Sequence, residues 1–299
     1  MGTSWRHGAE YALFAALARA VGVLTWNGRI AAGRAAGRLW WLLDGRHRRV
    51  AVDNIRAAFP WMGPGEASAL ARRNFEHLGI TAAEFLGLRA SGPEEVLARY
   101  RFEGLQHAKR VLDGGRGFLA LTAHLGNWEL AGAAVSAAGY RFFGVARRIR
   151  NPLVDRAVTR IRERFGGTVI PHRGAAPAVL RAVRSGGIVA FVMDQRALLK
   201  EAVRSTFFGR PVATNKGLAV LALRTGAPVL PCFARREAGG RHVLRVHAPL
   251  EPPGPGPFEE RVRRFTGQFD AVIESEVRRT PSQWFWVHRR WRLPREWSA

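Results

Sequence analysis

Two residues in the stretch LTAHLGNWELAG (121–132) carry side chains that can move or hold a proton, His124 and Glu129. An imidazole titrates near neutrality and serves as a general base once a neighbour fixes its tautomer. A carboxylate accepting from one ring nitrogen does this and leaves the other nitrogen free. On one continuous helix, residues five apart diverge by about 140°, so the two groups would not meet. If His124 precedes a helix and Glu129 lies in its first turn, the carboxylate can fold back onto the ring. No G-x-S-x-G stretch accompanies them. The lone cysteine, Cys232, lies in the apolar run APVLPCF and reads as a buried residue. A base without a protein nucleophile would act on a substrate hydroxyl.

The elements that must hold these groups are legible around them. GFLALTA (117–123) reads as a strand, which puts His124 at its C-terminal edge, where open α/β sheets bind ligands. Gly126 and Asn127 suit a turn into a helix over about 128–138. RFFGVA (141–146), GIVAFVM (187–193), APVLPCF (227–233) and HVLRVHAPL (242–250) read as further strands. Helical patterns at about 151–165, 174–185 and 213–225 separate them. Residues 9–90 read as helices throughout, with turns at DGR (44–46), FPWMGPG (59–65) and ASGPEE (90–95). Phe258, Val262, Phe265, Phe269, Val272 and Val277 mark a long amphipathic helix. The expected fold class is α/β: a helical N-terminal region, then a mixed, partly parallel sheet flanked by helices. One domain is expected over 1–299, with 1–27 a membrane-anchoring helix, 28–100 helical and 101–299 the α/β core. The run 11–26 is broken by Arg19 and falls short of the ~20 apolar residues of a membrane span. It lacks the small-residue cleavage site of a signal peptide. A monotopic or amphipathic anchor fits it, and so does a buried core helix.

The formal charge is +24, and of 47 basic residues only Lys109, Lys200 and Lys216 are lysines. The excess favours an acidic partner: an anionic membrane, a phosphorylated substrate or an acidic carrier protein. QWFWVHRRWRLPREW (283–297) interleaves tryptophans and arginines, which suits stacking on single-stranded RNA or a membrane interface. With the His–Glu pair present, the membrane or lipid reading is the stronger. No nucleic-acid-binding signature occurs, so a basic nucleic-acid-binding protein is a distant alternative. DGGRG (113–117) precedes its strand, and no G-x-x-x-x-G-K-[ST] occurs, which argues against a nucleotide-cofactor enzyme. The histidines are scattered, so neither a metal nor a cofactor is expected.

The H-x-x-x-x-[DE] spacing after a strand resembles the signature of glycerolipid and lysophospholipid acyltransferases. RRVAVDNIRAAFP (48–60), HLGNWEL (124–130), RRIRNPLVDRAVTRIRERFG (147–166), FVMDQ (191–195), FFGRPVATNKGLAVLALRTGAPVLPCFARRE (207–237) and QWFWVHRRW (283–291) together resemble the late acyltransferases of lipid A biosynthesis. That resemblance implies an O-acyltransferase at the cytoplasmic face of the inner membrane, held there by a monotopic or single N-terminal anchor. Its donor would be an acyl thioester on acyl carrier protein or coenzyme A. Its acceptor would be a glycolipid hydroxyl, foremost a lipid A precursor, with phosphatidylinositol mannoside, an aminolipid or a lysophospholipid as alternatives. Anionic membrane lipids would be further partners, and nucleic acid would not. His124 and Glu129 would be catalytic. Asn127, Arg147, Asp194, Phe208 and Arg210 would bind substrate. Arg147 precedes Asn151-Pro152 and would grip acidic groups, with Arg148 where the family usually has proline. Asp194 would orient a site arginine or the acceptor, or else cap a turn. TFFGRPVATNKG (206–217) is expected as a turn-rich loop entering a helix at Thr214. There Phe207 and Phe208 would line an acyl groove or pack in the core, and Arg210 would meet the donor.

Overall fold

The computed structural model describes residues 5–297. The chain opens with helices α1 (Trp5–Gly22), α2 (Trp26–Leu43), α3 (Gly45–Ala58) and α4 (Pro64–Gly87). Each start after the first has a local cause. The Thr25 side chain accepts from Gly28 N–H at the head of α2, and Asp44 accepts from His47 N–H at the head of α3. Pro64 occupies the first turn of α4, while Glu66 reaches back to the Gly63 N–H. Helices α2 and α4 touch backbone to backbone. A Cβ on Gly79 would collide with the Gly33 carbonyl and the Gly37 backbone, and one on Gly37 with the Phe75 carbonyl.

After α5 (Pro93–Leu97) the chain alternates. It forms β1 (Tyr100–Glu103), α6 (Leu105–Asp113), β2 (Phe118–Thr122), α7 (Trp128–Ala137), β3 (Phe142–Ala146), α8 (Pro152–Glu163), β4 (Thr168–Pro171), α9 (Ala176–Arg184) and β5 (Ile188–Val192). A hairpin of β6 (Ala202–Phe207) and β7 (Arg210–Asn215) follows, then α10 (Gly217–Thr225), β8 (Val229–Arg236), β9 (His242–Val246) and α11 (Phe258–Arg279). Seven strands form one sheet in the order β1-β9-β8-β2-β5-β3-β4. All neighbours run parallel except β8 and β9. The α/β class expected from the sequence is the class observed.

Strand β2 sits at the centre, covered on both sides. Leu119 and Leu121 enter one apolar cluster, while Phe118 and Ala120 enter the other. A strand buried on both faces reads as a continuous apolar run, which is why FLALT was recognisable. Its register with β5 aligns Thr122 with Val192. The residues two places beyond each end, His124 and Asp194, therefore leave the sheet side by side.

The structure differs from expectation at several places. Strands β1 and β4 and helix α6 are additional, the strands being too short for a clear period-2 signal. Residues 206–217 are mostly a hairpin and not a loop. Its turn at Phe208-Gly209 holds both residues at positive φ (51° and 68°), and the helix begins at Gly217 and not at Thr214. In the C-terminal segment Trp284 and Trp286 are buried core residues, as is Arg290. They are not available to RNA or to a membrane. Among the described residues no helix is long and apolar enough to cross a membrane. Helix α1 turns Ala15 and Ala18 inward and leaves Trp5, Leu13 and Leu17 exposed.

The glycine contact between α2 and α4 yields an expected outcome. Gly79→Val inserts three carbons where two backbones meet, so the helices must part. It should cost about 1–3 kcal/mol of stability or more, read as a lower denaturation midpoint. A midpoint equal to the parent's would mean that the helices do not approach so closely.

Candidate active site

The site is assembled at the C-terminal edge of β2 and β5. Asp194 is 2% exposed and accepts three hydrogen bonds: His124 Nδ1 at 2.7 Å, His124 N–H at 2.9 Å and Trp284 Nε1 at 2.7 Å. Burial pushes its pKa up. The His124 charge and these three hydrogen bonds outweigh burial and hold it below the ordinary carboxylate value. An ionised carboxylate can only accept, so His124 Nδ1 carries a proton whether or not the ring is charged, and in the neutral ring the lone pair is on Nε2. The imidazole lies between Trp128 at 4.9 Å and Phe285 at 5.7 Å, centroid to centroid. Gln195 Nε2 is 3.5 Å from His124 Nε2. His124 opens onto a cleft of about 750 Å³ that contains Glu129, Arg147, Arg162, Gln195 and Arg196 on its polar side, and Phe142, Val145, Phe191 and Leu221 among its apolar walls.

The carboxylate on the ring is therefore Asp194, where sequence spacing pointed to Glu129. Helix α7 begins at Trp128 with Glu129 in its first turn, as expected. Its carboxylate turns to α8 and binds Arg162 through two hydrogen bonds, Nε at 2.9 Å and Nη2 at 2.5 Å. The sheet register offers His124 a buried acceptor directly beside it, and Arg162 claims Glu129. Glu129 still lines the same cleft.

The other sequence candidates separate cleanly. Arg147 lies in the cleft wall, exposed, 3.5 Å from Glu201. Asn127 is fully buried and caps α7, accepting from Leu130 N–H and donating to Glu84, so it faces the protein and not a ligand. Phe208 is buried against Phe59 and Phe207 beneath the Arg278 guanidinium at 4.4 Å, outside the cleft. Arg210 is exposed at the start of β7 and also lies outside it. Among the described residues no His, Cys, Asp and Glu grouping could hold a metal.

Sequence reasoning missed the residues that hold the 124–127 turn. Segment 283–285 runs antiparallel to it: Gly126 N–H donates to the Gln283 carbonyl and Phe285 N–H to the His124 carbonyl, both at 3.1 Å. Asn74 of α4 donates to the Ser282 and Trp284 carbonyls. His77, pushed down to about 3 by burial and by Arg236, is neutral and donates to the Gly126 carbonyl at 3.1 Å. Beneath lies Glu84, fully buried, which accepts both Arg236 Nη atoms at 2.5 Å, Asn127 Nδ2 at 2.7 Å and His242 Nε2 at 3.3 Å. Burial raises Glu84, but the Arg236 and His242 hydrogen bonds prevail and hold it at about 2. These residues lie on α4, β8 and β9, far from His124 in sequence, and no local motif marks them.

Residues 3–293 match the family described as bacterial lipid A biosynthesis acyltransferases. The chain is 26% identical over 262 residues to the lipid A biosynthesis lauroyltransferase of Escherichia coli K12, covering 87% of this chain and 84% of that protein. It is 27% identical over 249 residues to the palmitoleoyltransferase of the same organism, covering 83% and 79%. It is 28% identical over 190 residues to the phosphatidylinositol mannoside acyltransferase of Mycolicibacterium smegmatis, covering 62% and 60%.

Glu84→Gln should cost about 3 kcal/mol, because it removes the charge that the half-buried Arg236 guanidinium and His242 converge on. The pH dependence has a definite sign. The folded-state pKa of about 2 lies below the ordinary glutamate value of 4.5, so the Glu84 contribution is complete above pH 4.5 and is lost as pH falls towards 2. Melting temperatures measured between pH 7 and 2 should fall less steeply below 4.5 for Glu84→Gln than for the parent. Parallel curves would remove this role.

Proposed function

The chain belongs to the bacterial lipid A biosynthesis acyltransferase family, and on that premise we propose that His124 is the general base of acyl transfer from a thioester to a glycolipid hydroxyl. The observation that carries this reading is the His124–Asp194 pair, which fixes the proton on Nδ1 and leaves Nε2 basic at the cleft. Nε2 takes the proton of the acceptor hydroxyl as its oxygen attacks the thioester carbonyl. A C–O bond forms and a tetrahedral oxyanion results. Its collapse breaks the C–S bond, and the imidazolium returns the proton to the departing thiolate. Asp194 stays ionised and stabilises the imidazolium. The Phe142, Val145 and Phe191 side of the cleft takes the acyl chain, and the donor's thiol belongs to acyl carrier protein or coenzyme A.

Glu129 enters as half of a fixed ion pair. With Arg162 it forms a rigid polar wall facing the reacting hydroxyl, while Arg147 offers a planar guanidinium to acidic substrate groups. The acceptor is a lipid A precursor, in line with the lauroyl- and palmitoleoyltransferase relatives. The mycobacterial relative favours a second reading, a mannosylated phosphatidylinositol, served by the same chemistry. Incubating the protein with membranes and labelled acyl thioesters, then identifying the labelled lipid, decides between them.

We place the protein on the inner membrane, at its cytoplasmic face. The outward Leu13 and Leu17 of α1 and the exposed Leu39, Leu42 and Leu43 at the end of α2 supply apolar area, and the positive charge favours anionic lipid.

His124→Ala should abolish label transfer to lipid with the fold intact. Asp194→Asn should lower kcat about a hundredfold or more by releasing the tautomer. Glu129→Gln should lower turnover strongly but less than His124→Ala. A Glu129→Gln loss equal to that of Asp194→Asn would mean that the imidazole changes carboxylate when substrate binds. Leu13→Asp with Leu17→Asp should move the protein towards the soluble fraction in high salt. Unchanged pelleting would place the membrane contact elsewhere.

A further inference from the structure

A second cleft flanks the His124 site. It measures about 440 Å³ and is lined by Arg46, Arg196, Arg289 and Arg292, with His288 and Phe285 in its wall. Arg196 and Phe285 join it to the catalytic centre. Arg196 also lines the His124 cleft, and the Phe285 ring is 5.7 Å from the imidazole. No carboxylate stands among its lining residues. In the His124 cleft, by contrast, two of the arginines have carboxylates beside them: Arg162 is paired with Glu129, and Arg147 lies near Glu201. Arg46, Arg289 and Arg292 are exposed and Arg196 is half-buried, so an anion entering the depression meets four guanidinium groups with no lining carboxylate competing for them.

The cleft is also built on fixed backbone. Asn54 of α3 donates to the Trp286 and His288 carbonyls at 2.7 and 2.8 Å. Arg290, fully buried, is pinned by Asp270 at 2.7 Å, Thr214 at 2.6 Å and the Gln195 and Ala213 carbonyls at 3.1 Å. Arg289 and Arg292 project from this anchored segment, and Arg196 from a backbone bridged to Thr214. His47 on the rim is taken by Asp44. His288 Nδ1 is buried without a hydrogen-bond partner. Burial pushes His288 down to about 4, so it is neutral at pH 7 and adds no charge to the cleft.

We propose that the cleft formed by Arg46, Arg196, Arg289 and Arg292 binds a phosphate monoester carried by the lipid acceptor, a proposal that rests on the acyltransferase reading of His124. A monoester brings close to two negative charges and three acceptor oxygens at pH 7, which matches several guanidinium forks where a diester would leave them unpaired. The acyl chain occupies the apolar side of the His124 cleft. A phosphate at Arg196 therefore lies on the side from which the acceptor presents its hydroxyl.

The full chain is tested by flotation with phosphatidylcholine vesicles that carry either phosphatidic acid, a monoester, or phosphatidylglycerol, a diester, at matched surface potential. The Arg289→Ala/Arg292→Ala variant is compared with a charge-matched control, Arg110→Ala/Arg263→Ala, whose residues are exposed on α6 and α11. Thermal melts confirm that both are folded. The parent should prefer phosphatidic acid. The cleft variant should lose about tenfold or more of that affinity, with binding to phosphatidylglycerol within twofold. The control should lose little and equally for both lipids. Equal losses in both variants would reduce the cleft to general positive potential and overturn the proposal. Inorganic phosphate binding the parent as tightly as phosphatidic acid, and not the cleft variant, would assign the site to free phosphate and overturn the acceptor assignment. A raised donor KM with an unmoved acceptor KM would move the phosphate to the donor, with the same consequence. Binding does not require turnover. A protein with intact monoester preference but no acyl transfer would sink the acyltransferase reading and leave the cleft's ligand chemistry standing.

Discussion

The Asp194 carboxylate is the contact on which the rest of the site depends. It is buried, it is ionised, and all three of its donors belong to the His124 turn or to the segment that clasps it. Burying a carboxylate is expensive unless its oxygens are satisfied. Here a backbone N–H, an imidazole and an indole share that work. The same bonds that stabilise the charge set the tautomer of His124 and lock Trp284 into the core. Removing any one donor would disturb both the electrostatics and the packing. Structure and chemistry therefore cannot be varied independently at this point.

Holding the turn itself takes a second layer. Gly126 at φ 59° lies against the Ala234 carbonyl so closely that a side chain there would collide with it. Its N–H and C=O are taken by Gln283 and His77. Asn127 is drawn down to Glu84, and Tyr100 donates to the Asn127 carbonyl at 3.2 Å. Elements from the helical N-terminal region, the parallel sheet and the C-terminal segment all converge on four residues. The N-terminal helices and the α/β core meet at this point: α4 supplies Asn74, His77 and Glu84 to the 124–127 turn and the segment beside it.

The arginine excess sorts into three physical situations. Arg290 is buried in an ion pair with Asp270, and the half-buried Arg236 pairs with the buried Glu84. Arg147, Arg162 and Arg196 line the His124 cleft. Many others, Arg110 and Arg263 among them, are simply solvated. A guanidinium suits each setting because it keeps its charge in all of them. Composition alone cannot assign any one arginine to a setting, since all contribute equally to the +24.

By itself the sequence determined the α/β class, the order of the central strands and helices, the strand-edge position of His124 and the start of α7 with Glu129 in its first turn. These features arise from local periodicity and turn chemistry, which a chain carries in its linear order. It also carried the family, through motifs spread over most of its length. Tertiary structure decided which carboxylate meets the imidazole. Asp194 was visible as a polar residue closing an apolar strand, but its neighbour depended on β5 pairing with β2 in one register, a long-range outcome. The same holds for Asn127, drawn inward by Glu84, and for Phe208, turned into the core by a hairpin turn. It holds for Trp284 and Arg290, which composition placed at a surface and packing placed in the interior. Side-chain partners follow from how distant segments meet, and the hydrophobic and polar patterns of a segment constrain its own form far more tightly than they constrain its company.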